Sequence, residues 1–452
     1  MDRLSSKNIG RLFLIGLVAL LPLETASADS LSDVLAVAYK TNPTIRAQRA
    51  QLRATRELKA QAWAGALPQV TASASIQNNS TTNTSLFNAT TDADGNLLPP
   101  ESQSFEFQPI TAGVSGEQPI FTGFRNYNAI KQARARVKAG GAQLASIEQQ
   151  ILQQAATAYF DVLRDTKVYE ANLSNVKVLL RQQKEAKLRF EVGEITKTDI
   201  AQADARLAGA RAQLASTQAQ LAVSRASFKE IVGDAPGTLD QNPSLPAIPE
   251  TEDAMQRLAL EYAPAIIAAN ETEEASRRQV SIAKGVLSPT VSLTASYQYA
   301  ENPNFFVETD EQFTYGARAS VPIFQGGLNY SRIREARALN DADRQRIKEA
   351  ERQVRSSVTT TWEQLNAARA TISSARAQVE ANELALEGVR RENQVGARTT
   401  LDVLNAEQEF LNATVSLANA ERDERAAIFA LLASAGILTI DVAGIVDENF
   451  SE

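Results

Sequence analysis

Among its 452 residues the sequence has no cysteine and no histidine. Those two absences exclude disulfides, thiolate nucleophiles, histidine-bearing triads and zinc sites of the usual Cys/His kind. There is no GxxxxGK[ST] phosphate loop, and the acidic residues are scattered as on solvated helices, so nothing points to an enzyme or to a bound metal or cofactor. Basic charge is also in deficit: 46 Lys and Arg against 53 Asp and Glu give a net charge of −7. A nucleic-acid binder would show the opposite balance. Aromatic residues are 6% of the chain, with two tryptophans, and alanine makes up much of the 44% hydrophobic content. That composition suits closely packed helices. After the first 28 residues no run of 18 apolar residues occurs, so no helix is expected to span a membrane.

The N-terminus reads as an export signal over residues 1–28. Arg3, Lys7 and Arg11 form a basic n-region, Leu12 to Leu23 an apolar h-region, and Ala26-Ser27-Ala28 a small-residue cleavage site. The chain is expected to leave the cytoplasm. Any membrane it then occupies has to be entered as β-structure.

Proline is absent between Ile120 and Ala235 and again from Ile323 to the end. Both stretches are rich in Ala, Gln, Glu, Arg and Leu, the good helix formers. Ile147, Ile151, Ala155, Ala158 and Val162 fall at helical spacing, and Leu207, Leu214, Leu221 and Phe228 recur every seventh residue, a seam suited to a neighbouring helix. Each stretch breaks once, at Val192-Gly193 and at Val395-Gly396, which predicts two helical hairpins. A helix from about Gly123 to Phe190 would be a rod on the order of 100 Å long at ~1.5 Å per residue. Between the helices the pattern changes to a period of two. Val70 to Ile76, Ile110 to Val114, Val291 to Tyr299 and Phe313 to Val321 alternate apolar with mostly polar residues. Strands of ~10 residues with one apolar face have the length that crosses a bilayer when tilted.

The chain also repeats itself. Pro43 and Pro68 match Pro264 and Pro289 at an offset of 221. Gln118-Pro-Ile-Phe-Thr-Gly-Phe124 matches Val321-Pro-Ile-Phe-Gln-Gly-Gly327, and Thr196-x-x-Asp199 matches Thr399-x-x-Asp402, at an offset of 203. A register this steady indicates duplication. The expected domains are a first repeat over 29–233, a linker over 234–250 with four prolines, a second repeat over 251–436 and a tail over 437–452. Strands are expected at about 67–78, 105–118, 288–300 and 311–321, with hairpin tips at about 192–198 and 395–401. The segment Asn78 to Ser104 is expected as a long polar loop. Four strands cannot close a barrel, and an open edge in lipid leaves backbone groups unpaired at several kcal/mol each. Copies of the chain therefore have to associate, two supplying eight strands or three supplying twelve. A periplasmic coiled-coil adaptor or scaffold is the alternative, and the alternating strands argue against it.

Taken in order, Thr41-Asn-Pro43, Leu67-Pro68 with Ser288-Pro289, Pro119-Ile-Phe-Thr-Gly123 with Pro322-Ile-Phe-Gln-Gly326, and the two tip motifs resemble the TolC family of outer-membrane efflux proteins over the whole mature chain. The resemblance implies an α+β membrane protein in the outer membrane. It implies a homotrimer whose 12-stranded transmembrane β-barrel continues into a long periplasmic α-helical barrel. It further implies a passive duct for efflux or type I secretion, docked to a periplasmic adaptor (membrane fusion) protein and an inner-membrane RND, ABC or MFS pump. Outer-membrane lipid is an implied partner and nucleic acid is not. At the tips, Val192, Gly193, Val395 and Gly396 read as helix breakers or as adaptor contacts. Asp199 and Asp402 fit plain helix capping, because Thr and Asp three apart have capping-box spacing. By resemblance Arg398 matches an arginine that bonds a Thr-Asp pair at the neighbouring tip, here Thr198 and Asp199, and closes the periplasmic entrance. Asp402 matches one of two acids ringing that entrance. The family's gate tyrosine falls on Asn393 and its second acid on Asn405, so the expected lock centres on Arg398.

Overall fold

The computed structural model describes residues 30–84, 94, 102–304 and 306–444. The expected export signal, most of the segment between residues 84 and 102 and the end of the expected tail lie outside them. The chain runs α1 (Leu31–Thr41), α2 (Pro43–Ala64), β1 (Gln69–Ile76), β2 (Asn79–Thr84), β3 (Ser102–Phe107), β4 (Ile110–Phe121), α3 (Arg125–Glu191) and α4 (Lys197–Val232). It continues with α5 (Glu252–Tyr262), α6 (Pro264–Gly285), β5 (Thr290–Asn304), β6 (Val307–Ser320), α7 (Leu328–Gln394) and α8 (Thr400–Ser434). The helices match in pairs: α1 and α5 have 11 residues, α2 and α6 have 22, α3 and α7 have 67. At ~1.5 Å per residue each long helix spans about 100 Å. Strands lie at one end of these rods and hairpin tips at the other.

Local chemistry sets the boundaries. Ser30 accepts from the Asp33 amide and Thr251 from the Ala254 amide, capping α1 and α5. Pro43 and Pro264 occupy the first turns of α2 and α6, where the missing N–H costs nothing. Gly233 ends α4 with a positive φ of 105°, a backbone region glycine enters without a Cβ clash.

Four strands form one antiparallel sheet in the order β1-β4-β5-β6. Its register decides which side chains share a face, since directly paired residues point the same way. Val70 pairs Gly116, Ala72 pairs Val114 and Ile76 pairs Ile110; Val114 pairs Tyr297, and Tyr297 pairs Phe313. The apolar positions of all four strands thus fall on one face. Thr71, Ser73 and Ser75 line up with Ser115, Gly113 and Thr111, then with Ser296, Gln298, Thr314 and Gln312, on the other. Among the described residues no other layer covers the apolar face: Val70, Tyr297, Phe313 and Tyr315 stay exposed. Within the segment expected as a long polar loop, Asn78 to Ser104, the two ends form a ladder, β2 with β3. Its Ser and Thr residues pair across the strands, as in the 2.9 Å bond between Thr82 and Ser104, a stabilising cross-strand contact.

The core sits midway along the rods. Leu35 and Ala38 of α1, Met255 and Ala259 of α5, Tyr159 and Phe160 of α3, Val358 and Leu365 of α7, and Phe429 and Leu432 of α8 are buried together. The Tyr159 hydroxyl donates to the Asp240 carbonyl at 2.8 Å, and Gln149 donates to the Gly436 carbonyl at 2.7 Å. Both bonds tie the segments after α4 and α8 to the middle of α3.

Candidate functional site: the two helical tips

The first tip joins α3 to α4 and the second joins α7 to α8. Gly193 (φ 81°) and Gly396 (φ 80°) take the left-handed conformation just past the long helices. The Glu194 amide reaches back to the Arg189 carbonyl and the Ala397 amide to the Glu392 carbonyl, each at 2.9 Å. These bonds satisfy helix-end carbonyls that would otherwise lack partners. Val192 and Val395 are both exposed beside these glycines.

The returning helices start alike. One carboxylate oxygen of Asp199 accepts from the Thr196 amide and hydroxyl, both at 2.8 Å. Asp402 accepts from the Thr399 amide at 2.9 Å and hydroxyl at 2.8 Å, and its own amide donates to the Thr399 hydroxyl. These bonds favour the charged carboxylate, so both acids titrate below the ordinary range. The Thr196 amide is the larger cause at Asp199 and the Thr399 hydroxyl at Asp402.

Arg398 has its partner within its own tip. Its Nε donates to Glu392 at 2.9 Å, and this ion pair holds the guanidinium pKa up, with a smaller contribution from Asp402. Asn393, at the expected tyrosine position, donates to the Arg398 carbonyl at 2.8 Å. Thr198 and Asp199 lie on the other tip, exposed and half-buried, and among the described residues the bonds of Arg398 go to Glu392 and those of Asp199 to Thr196. Asn405 accepts from Arg206 of α4 at 2.8 Å, bridging the two hairpins where the second ring acid was expected.

Sequence reasoning did not single out Glu392, Arg206, Arg390 or Glu407. Glu407 is buried and paired with Arg390, with Gln182 at 3.5 Å. Together these residues line part of a cavity of about 350 Å³ between the hairpins, behind which Leu179, Leu207 and Leu404 pack. The available signal was charge in a seam: Glu407 lies four residues before Leu411 and three after Leu404, both buried, on the apolar stripe of α8. A carboxylate there needs a cation. Among the described residues no cluster of acids could hold a metal, and no helix is long and apolar enough to cross a membrane.

A family model for outer membrane efflux proteins matches residues 34–234 and 256–436. The chain is 31% identical over 426 residues to the outer membrane efflux protein BepC of Brucella suis biovar 1, covering 93% of this chain and 88% of that protein. It is 23% identical to the alkaline protease secretion protein AprF of Pseudomonas aeruginosa, covering 97% and 91%. Among solved structures, the outer membrane protein VceC of Vibrio cholerae superposes with a TM-score of 0.73 at 21% identity, over 90% of this chain and 96% of that one.

Proposed function

The chain belongs to the outer membrane efflux protein family, and from that premise we propose that three copies form a passive exit duct through the outer membrane. As a member of that family it is not an enzyme. The observation that carries the duct reading is the sheet. One face is apolar across all four strands, the other is polar, and both edges, β1 and β6, are unpaired among the described residues. In lipid such edges must pair. Three sheets joined edge to edge supply twelve strands, with the apolar face toward lipid and the Ser, Thr and Gln face around water. The α-helical rods then continue the duct into the periplasm. Residues 29–233 and 251–436 act as two copies of one structural repeat joined by the linker 234–250, a reading supported by the paired helix lengths.

At the far end, Val192, Gly193, Val395 and Gly396 present exposed tips to a periplasmic adaptor protein, and an inner-membrane RND, ABC or MFS pump supplies the cargo. The names of BepC and AprF, one efflux and one protease secretion, support either kind of cargo. Arg398, Thr198, Asp199 and Asp402 form the entrance gate. Closure requires Arg398 to exchange Glu392 for the Thr198-Asp199 pair of a neighbouring copy. The assembly is tested by native mass spectrometry in mild detergent. Three chains are expected, and a stable monomer removes the duct.

A further inference from the structure

Charge is divided unevenly along the molecule. The chain as a whole is acidic, at −7, yet α2 carries five basic residues against one acid, Glu57. Between Arg125 and Ile147 α3 carries five basic residues and no acid. These are the parts of the rods next to the sheet. The basic residues fall into stripes. Arg46, Arg49, Arg53 and Arg56 are spaced three, four and three apart, which places them on one face of α2. Lys131, Arg134 and Lys138 follow the same rule on α3. Asn126 bonds the Gly65 carbonyl at one end of the α2–α3 contact and Arg49 bonds Glu148 at the other, so the stripes lie side by side.

Both stripes face the same way as the layer wrapped around the middle of the rods. Counting back along α3 in sevens from Tyr159, which bonds the Asp240 carbonyl, Leu152, Ala145, Lys138 and Lys131 share one face. On α2 the Arg49 guanidinium sits 4.3 Å from the ring centre of Tyr39, in α1. A layer made of α1 and the segment after α4 would block the bore of a duct, so it lies outside. The stripes therefore face outward, into the periplasm. Arg53, Arg56 and Arg134 are exposed and form no ion pair among the described residues.

The second half of the chain lacks the α2 stripe. Arg46, Arg49 and Arg53 correspond to Ile267, Asn270 and Glu274 of α6, and Lys138 corresponds to Asp341 of α7. Of the α2 arginines only Arg56 keeps a basic counterpart, Arg277, although Arg334 and Arg337 of α7 match Lys131 and Arg134. Since α6 and α7 reach the same lengths as α2 and α3 without the stripe, helix formation does not call for it.

We propose that the Arg46–Arg56 stripe docks a carboxylate-bearing polymer of the periplasm, the peptide-linked glycan of the cell wall, against the outside of the duct. The proposal rests on the duct reading, which sets the outward side. A row of cations along a helix is the footprint of a polyanion, and guanidinium forks match carboxylates. Two observations favour a polymer over a membrane or a protein. Trp63, Phe124 and Tyr127, exposed where rods meet sheet, stand at the level of lipid headgroups. At ~1.5 Å per residue Arg53 lies about 15 Å below Trp63 and Arg46 about 25 Å. Both distances exceed a headgroup layer of roughly 5–8 Å and a Debye length of about 8–10 Å. Among the described residues no large hydrophobic side chain is exposed on α2 before Trp63, or on α3 between Tyr127 and Leu188. The apolar centre of a stable protein interface is thus missing.

The test is co-sedimentation of the full-length protein, in mild detergent, with purified cell-wall sacculi, beside flotation with vesicles of anionic phospholipid. The wild type is expected to sediment with sacculi at low salt and to be released as salt rises. Arg53→Gln with Arg56→Gln is expected to weaken that binding roughly fivefold. Arg334→Gln with Arg337→Gln, the same change of charge on α7, is expected to leave it at the wild-type level. Equal sacculus binding by the wild type and the α2 variant overturns the proposal. If the α2 variant loses vesicle flotation and keeps sacculus binding, the stripe belongs to lipid headgroups and the proposal falls. Native mass spectrometry of the same samples separates the two levels of failure. Three chains that never bind sacculi overturn the docking alone, whereas a monomer removes the duct and the outward placement with it.

Discussion

At the residue scale the question at the tips is which acceptor holds Arg398. Arg398 bonds Glu392 within its own turn, and the duct reading gives it a second acceptor, Asp199 of a neighbouring tip. Arg398 and Glu392 are both exposed, so water screens their pair and leaves it weak enough to be exchanged. Arg398→Ser and Asp199→Ala are each expected to raise single-channel conductance in a planar bilayer, and combining them should add little because they remove one interaction. Glu392→Gln should act in the opposite direction, releasing Arg398 to the neighbour and lowering conductance. Wild-type conductance in all three variants would leave Asp199 with capping as its whole role. Glycine carries the same kind of two-sided constraint, and there the difference between positions is steric.

At the element scale that difference becomes a stability prediction. Gly123→Ala meets both backbone strain and a collision with the turn from α6 to β5, and neither Ser288 nor the Gly285 backbone there is the far end of a flexible side chain. Gly326→Ala meets only the strain of a positive φ, of order 1–2 kcal/mol. Thermal unfolding followed by circular dichroism should show Gly123→Ala as the more destabilised by several degrees. Equal shifts would mean that the contact of Gly123 with Gly285 and Ser288 yields. The helices themselves were legible before any coordinates, because proline, glycine and capping residues act locally. The absence of proline allowed α3 and α7 to run for 67 residues, and Val-Gly followed by Thr-x-x-Asp stopped each and started the next. The ladder of β2 with β3 was not legible. β2 is a run of Asn, Ser and Thr with no apolar alternation, whereas Phe105 and Phe107 of β3 fall within the strand expected at 105–118, and the two pair just beyond the ladder of β1 with β4.

At the scale of the whole molecule, sheet and tips lie at opposite ends of rods about 100 Å long, so one orientation serves both. If the tips face the periplasm, the β2–β3 ladder leaves the far side of the membrane. An epitope inserted beside Asp94 should then be tolerated, as insertions in solvated loops commonly are, and should bind antibody on intact cells. Binding only after the outer membrane is broken would reverse the orientation.

The sequence alone determined what local chemistry can determine: where helices begin and end, which strands have one apolar face, and that the first half of the chain resembles the second. It placed Asp199 and Asp402 at helix starts for the same reason. Only the tertiary structure decided strand order and register, and with them that the apolar positions of β1, β4, β5 and β6 share one face. It also decided that Glu392 lies within reach of Arg398, that Arg390 meets the buried Glu407 across the hairpin, and that Gly123 is enclosed while Gly326 is open. Two glycines in matching motifs with matching dihedral angles are indistinguishable by sequence. What separates them is their neighbours, and those are set by the order in which distant segments pack.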